Sequence, residues 1–237
     1  MSLSSRCLFL IPSTLGETTP GKVLPGGNLE IIRQLTHFVV EEEKTARRFL
    51  IRCRYDKPID AVAFHILNEH TPASEIPGFF SASGNADLGL LSEAGVPAVA
   101  DPGSVLVEEA HRLGIRVVPL AGPSSIILAL MASGLNGQNF AFNGYLPVKN
   151  PARTDRIRQI EKRSELERQA QVFIEAPYRN NQLILALLEI CKSGTRLCIA
   201  ANLTLQDEWI RTMKIREWRA GPPPDLNRKP AVFVLQA

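Results

Sequence analysis

Short apolar runs alternate with amphipathic, helix-like stretches along most of the chain. Cys7–Ile11 reads as a first buried strand, and residues 12–27 are broken by Pro12, Gly16, Pro20, Gly21, Pro25, Gly26 and Gly27. From Asn28 to Leu35 the apolar positions Leu29, Ile32 and Leu35 recur at helical spacing, and His37–Val40 is a second strand. Glu41–Arg54 is predicted to be helical, acidic in its first turn and basic later, which suits the helix dipole. Ala61–His65 reads as a strand, Ala73–Ser83 as a helix and Asp87–Ser92 as a further strand. Asp101-Pro102 is expected to be an N-cap followed by proline at the first helical position. That helix would turn Val105, Leu106 and Leu113 inward and end at Gly114. Ile115–Leu120 is the next strand, and Ser124–Ser133 the next helix, closed by Gly134.

A second block starts with a strand at Asn139–Asn143. A charged helix over about 151–169, the strand Gln171–Glu175, a helix near 180–192 and the strand Arg196–Ala200 follow. A proline-rich turn at Pro222–Pro224 precedes a last strand, Ala231–Leu235. Such alternation predicts an α/β protein with a mostly parallel sheet in its first half. The expected division is an N-terminal α/β domain over 1–121 and a C-terminal α/β domain over 122–237.

Composition narrows the function classes without choosing one. The 237 residues carry a net charge of +3, too little to demand a nucleic-acid partner. No apolar run reaches the 18 or more residues of a membrane-spanning helix, so no membrane partner is expected. Cys7, Cys53, Cys191 and Cys198 form no Cys-x-x-Cys pair and read as free thiols of a cytoplasmic protein. The four histidines show no metal-ligand spacing, and no metal site is expected. Gly16–Lys22 approaches a phosphate-binding loop, but Val23 stands where a magnesium-ligating hydroxyl is needed. Neither Gly-x-Gly-x-x-Gly nor Gly-x-Ser-x-Gly occurs.

Two loops carry the chemistry. Leu91-Ser-Glu-Ala-Gly-Val-Pro-Ala-Val-Ala-Asp-Pro-Gly103 and Val118-Pro-Leu-Ala-Gly-Pro-Ser-Ser125 each lead from an apolar strand, through glycine, proline and hydroxyl residues, into a helix. Both would lie at the carboxyl edge of a parallel sheet, where α/β folds hold ligands. Gly95, Gly103 and Gly122 let backbone come close to a ligand, while Ser124 and Ser125 cap their helix or donate to it.

These two loops, with Ala132-Ser-Gly-Leu135, Phe142-Asn-Gly-Tyr-Leu-Pro147 and Ile174-Glu-Ala-Pro-Tyr-Arg179, resemble the tetrapyrrole methylase superfamily. Within it the nearest branch holds the bacterial 16S rRNA cytidine ribose 2′-O-methyltransferases. The resemblance is dense over about 88–147 and patchy over 171–204. It implies two α/β domains with mostly parallel or mixed sheets, S-adenosyl-L-methionine in the cleft between them, and a homodimer. By the same resemblance Ser92, Glu93, Ala94, Gly95 and Pro97 would line the methionine and ribose side, with Asp101 and Gly103 shaping the loop. Gly122, Pro123, Ser124 and Ser125 would pass beneath the cofactor, and Asn202 and Leu203 would approach its adenine. Glu175 is the candidate catalytic base, or else a carboxylate that orients Arg179.

The departures from the family pattern touch the substrate side more than the cofactor side. Its usual first loop, Thr-Pro-x-Gly-Asn-Leu, is replaced by a longer excursion from Pro12, and its Glu-Asp-Thr-Arg by Glu41-Glu-Glu-Lys-Thr-Ala-Arg47. Glu-Leu-Thr becomes Asn202-Leu-Thr204, and His-Arg becomes Tyr178-Arg179. Three functions therefore stay open: an RNA methyltransferase, a methyltransferase of a small molecule such as a tetrapyrrole, and an S-adenosylmethionine-binding protein without catalysis. The charged helix from about 151 carries Arg153, Arg156, Arg158, Lys162, Arg163 and Arg168. It reads as a solvated face or as a contact to an RNA backbone.

Overall fold

Short apolar runs, covered on both faces by helices, build the first half of the molecule. The computed structural model describes residues 6–237, and the chain divides into two units, Met1–Ser124 and Ser125–Ala237. In the first, strands β1 (Cys7–Ile11), β2 (His37–Val40), β3 (Ala63–Ile66), β4 (Leu88–Leu91) and β5 (Arg116–Pro119) form one parallel sheet in the order β3-β2-β4-β1-β5. Helices α1 (Gly26–Gln34), α2 (Glu43–Arg52), α3 (Ile76–Ala82) and α4 (Ser104–Arg112) connect them.

Alternate residues of each strand feed two separate cores. Ile11, Phe38, Val40 and Leu91 pack with Ile32, Phe49 and Leu50 of α1 and α2. Leu8, Val39, Leu88 and Leu90 pack with Ile76, Phe80, Leu106 and Ala110 of α3 and α4. Coverage on both faces explains why the strands read as continuous apolar runs. The connection leaving β1 runs toward β2, whereas the one leaving its neighbour β4 runs the opposite way to β5. Such a reversal opens a crevice at the carboxyl ends of the two strands.

Two expectations about the β4–α4 segment are corrected. Asp101 is not the N-cap: the helix starts at Ser104 behind Gly103, and Asp101 is used to fold the loop before it. Val105 and Leu113 are exposed, and Leu106 with Ala110 forms the buried stripe. Val105 lies a helical step off that stripe, and Leu113 falls beyond the last turn, at the C-cap. Gly114, at φ +68, does terminate the helix in the left-handed conformation.

The second unit holds β6 (Phe140–Tyr145), β7 (Ala170–Ile174), β8 (Arg196–Ala201), β9 (Trp209–Lys214) and β10 (Ala231–Gln236) in a mixed sheet ordered β6-β7-β10-β8-β9. Strands β6 and β7 are parallel, and the remaining pairs antiparallel. Helix α5 (Ser125–Ser133) packs on β8, β9 and β10, while α6 (Ala152–Glu167), α7 (Asn180–Ile190) and α8 (Ile215–Arg219) complete the unit. Its core joins Ile157, Ile160, Leu183 and Leu187 to Phe173 and Phe233, whose rings stack at 5.7 Å. The strand β9 and helix α8 are not anticipated by sequence. In β9 the apolar residues Trp209, Ile210 and Met213 fall on both faces, so no period-2 signal arises.

Candidate functional site

Three loops meet at the carboxyl edge of the first sheet, because β1 lies between β4 and β5. The Ser13 amide, just past β1, donates to the Gly95 carbonyl of the β4 loop at 2.8 Å. Gly95 itself adopts φ +78, a conformation side chains resist, and a Cβ there would press on Leu15 and the Pro123 carbonyl. At Gly122, in the loop after β5, a Cβ would come within 2.2 Å of Pro12 Cγ. The room at Gly122 is thus taken up by the proline that opens the β1 loop.

The β4 loop stores local strain. Ala98 and Ala100 have φ of 64° and 60°, uncommon for residues bearing a Cβ. The Asp101 carboxylate holds this shape by accepting from the amides of Ala98 and Gly103, both at 2.8 Å through Oδ1. Gly103 sits so close that a Cβ would meet Leu90 and Asp101 at under 3 Å.

Between the loops after β1 and β4 and one side of α2 lies a cavity of about 890 Å³. Its walls combine the hydroxyl residues Ser13, Thr14 and Ser92 with Leu15, Val40, Phe49 and Leu91. Ser13, Thr14 and Ser92 are buried. Thr45 Oγ1 donates to Glu93 Oε1 at 2.5 Å, tying α2 to the β4 loop. Burial first, and then the nearby Asp101 and Glu93, push the Glu41 carboxyl up from the ordinary value. This edge is therefore concave and partly apolar, and its charged lining combines Glu17 and Glu93 with Arg48 and Arg52.

Of the residues singled out by sequence, Ser92, Glu93 and Ala94 line the cavity. Gly95, Asp101 and Gly103 form and brace the loop behind them, and Gly122 packs on Pro12. Pro97 lies between Gly95 and Asp101, and Pro123 places its carbonyl beside Gly95. Ser124 closes the first unit, and Ser125 opens α5 in the second. Ser13, Thr14 and Thr45 were not singled out. The signal available for Ser13 and Thr14 was a pair of hydroxyl residues just past the first strand, and Thr45, inside a helix, carried none.

In the second unit Glu175 and Asn202 follow β7 and β8 and lie at the same sheet edge, with the start of β10 between them. Glu175 is buried, and its Oε1 accepts from the Ala176 amide at 2.7 Å and from Arg179 Nε and Nη2 at 2.9 and 2.6 Å. Oε2 is buried without a hydrogen-bond donor. Asn202 takes φ +52, its amide donates to the Pro230 carbonyl, and its side chain donates to Asp207 Oδ2 at 2.7 Å. Leu203 is buried beside it.

Residues 28–218 match the profile of the Tetrapyrrole (Corrin/Porphyrin) Methylases. The chain belongs to this family. It is a methyltransferase, and its sequence relatives agree. It is 29% identical to the "Ribosomal RNA small subunit methyltransferase I" of Vibrio cholerae serotype O1 over 228 residues, 96% of this chain and 75% of that one. It is 32% identical to the protein of the same name from Xylella fastidiosa (strain Temecula1) over 230 residues, 92% of this chain and 81% of that one. Among solved structures, the methyltransferase CobJ superposes with a TM-score of 0.62 at 17% identity, over 98% of this chain and 94% of that one. The cobalt precorrin-4 methyltransferase CbiF does so with 0.61 at 12% identity, over 97% and 94%. Both share the fold of this family member. No helix among the described residues is long and apolar enough to cross a membrane.

Proposed function

We propose that this methyltransferase uses S-adenosyl-L-methionine to methylate ribosomal RNA, at a ribose hydroxyl. The cavity at the carboxyl edge of the first sheet carries the reading. Small-molecule sites run to about 300–1,000 Å³ and are mostly apolar with a few placed polar groups, and this cavity has that size and makeup. Its buried hydroxyls suit a nucleoside, and Glu17 and Glu93 together with Arg48 and Arg52 suit a ligand that carries both an ammonium and a carboxylate. Ser92, Glu93, Ala94 and Gly95 would hold the methyl donor, with Pro97, Asp101 and Gly103 keeping that wall rigid. Asn202 and Leu203 are assigned to the adenine on the strength of the family resemblance.

The donor brings an electrophilic methyl group on a sulfonium. What the protein adds is placement of the acceptor in line with it, and a dry, rigid wall. Glu175 is assigned to holding Arg179, which with the Ala176 amide supplies the three donors on its Oε1. The name shared by the sequence relatives supports RNA as the acceptor over a tetrapyrrole. A cytoplasmic homodimer completes the reading, with sedimentation mass as its check.

Calorimetry with S-adenosylmethionine tests the donor, and absence of binding at high micromolar ligand would sink the reading. Transfer of labelled methyl to small ribosomal subunits from a strain lacking this enzyme tests the acceptor. Label is expected there and not on wild-type subunits. Equal labelling of the two would remove ribosomal RNA, and labelling of a tetrapyrrole instead would replace it.

A further inference from the structure

The edge of the second sheet carries an aromatic and basic surface that the fold does not need. Tyr145 ends β6 and Tyr178 follows β7, and they keep 63% and 66% of their surface exposed. They flank one buried carboxylate: Tyr145 is in register with Ile174, next to Glu175. Glu175 fixes Arg179, which lies 4.9 Å from the Tyr178 ring centre and donates to its hydroxyl at 2.6 Å. The guanidinium thus covers part of Tyr178 and holds the ring in place.

Two further cations border this turn. The Arg228 amide donates to the Pro177 carbonyl at 3.2 Å, and the Lys229 carbonyl accepts from Asn180 Nδ2 at 2.7 Å. Both residues are exposed. Charge is also distributed unevenly: residues 125–237 carry 16 Lys and Arg against 10 Asp and Glu, a net +6, and residues 1–124 carry 11 against 14, a net −3. Rigid exposed aromatics beside cations are what a single-stranded nucleic acid requires, with bases stacking on rings and phosphates pairing with charge. A hydrophobic protein partner would call for an apolar surround, and the charged neighbours here are Arg179, Arg228 and Lys229, with one carboxylate, Asp225, on the same turn.

We propose that Tyr145 and Tyr178, the latter braced by the Glu175–Arg179 pair, stack unpaired bases of the RNA substrate while Arg228 and Lys229 contact its phosphates. This rests on the RNA reading above and names where on the second unit the RNA is gripped.

The test uses the whole protein and 16S ribosomal RNA prepared from a strain lacking the enzyme. Ultraviolet cross-linking should attach nucleotides to peptides containing Tyr145 or Tyr178. Tyr145→Ala and Tyr178→Ala should each weaken RNA binding by about tenfold, Tyr178→Phe should retain it, and S-adenosylmethionine affinity should stay unchanged in all three. RNA bound equally by wild type and by the Tyr145→Ala/Tyr178→Ala protein would overturn the patch while leaving the RNA reading intact. Failure of the wild type itself to bind this RNA would overturn both. Loss of self-association in the alanine variants with unchanged RNA affinity would make the surface a subunit contact, and the proposal would fall.

Discussion

At the scale of single residues, Asp101 illustrates how one carboxylate sets the shape of a site wall. It offers one oxygen to two amides of a loop that contains two left-handed alanines. Replacing it with alanine leaves both amides without their acceptor, a loss of about 1–2 kcal/mol, which should appear as roughly tenfold weaker donor binding. Asp101→Asn keeps the carbonyl oxygen and should bind nearly as wild type. Calorimetry on the pair decides the matter, since an alanine variant of undiminished affinity would show that the loop holds itself. His65 makes a different single-residue case. It stacks near His37 at 5.9 Å and beside Phe79, and its Nε2 is buried without a partner. Burial, and then His37, lower its pKa from 6.5. The native state thus resists a proton that the unfolded chain accepts. The contribution to stability is fully present above about 6.5, and it is lost as pH falls through that value toward the depressed native one. Melting temperature should therefore drop between pH 7 and 5, and His65→Phe should flatten that part of the profile. A drop of equal size in the variant would place its cause elsewhere.

At the scale of elements, Glu161 ties α6 to the turn between α7 and β8. It is buried, and its Oε1 accepts from the Lys192 amide at 2.7 Å and the Thr195 hydroxyl at 2.6 Å. Glu161→Ala should cost about 3 kcal/mol, because both donors are left unmet. Glu161→Gln, which still offers a carbonyl, should cost clearly less. Urea midpoints of the two variants give the comparison, and equal losses would show that packing rather than hydrogen bonding matters here. The same residue shows what sequence could and could not reveal. Helical charge spacing alone does not single out Glu161, because the loop that meets it lies more than thirty residues ahead. Strands β1 and β2 were legible to the residue, since both faces of each are covered and the apolar run is unbroken. Helix α4 was misjudged at its start, because Asp-Pro-Gly is spelled like a cap and serves as a brace. The candidate site was half legible. Ser92–Gly103 stood out by glycine and proline spacing, whereas Ser13, Thr14 and Thr45 enter through the strand order, which places β1 beside β4.

At the scale of the molecule, the charge is divided between a negative first unit and a positive second one, and a net +3 conceals both. The proposed placement of a cationic donor at the first unit and an RNA backbone on the second uses this division. The consequence is measurable in salt. Each phosphate neutralised releases counterions, so affinity falls with the logarithm of salt concentration, by a slope of about 0.7 per contact on a single strand. Removing Arg228 and Lys229 as Arg228→Gln and Lys229→Gln should flatten the slope by about that amount each. Lys44→Gln on α2, equally exposed but in the negative unit, should leave it unchanged. Anisotropy of labelled RNA across a salt series, for the three variants and wild type, reads the slopes directly. Should the Lys44 variant flatten the slope and the other two not, the RNA backbone would lie along the first unit, and the division of labour between the two would be reversed.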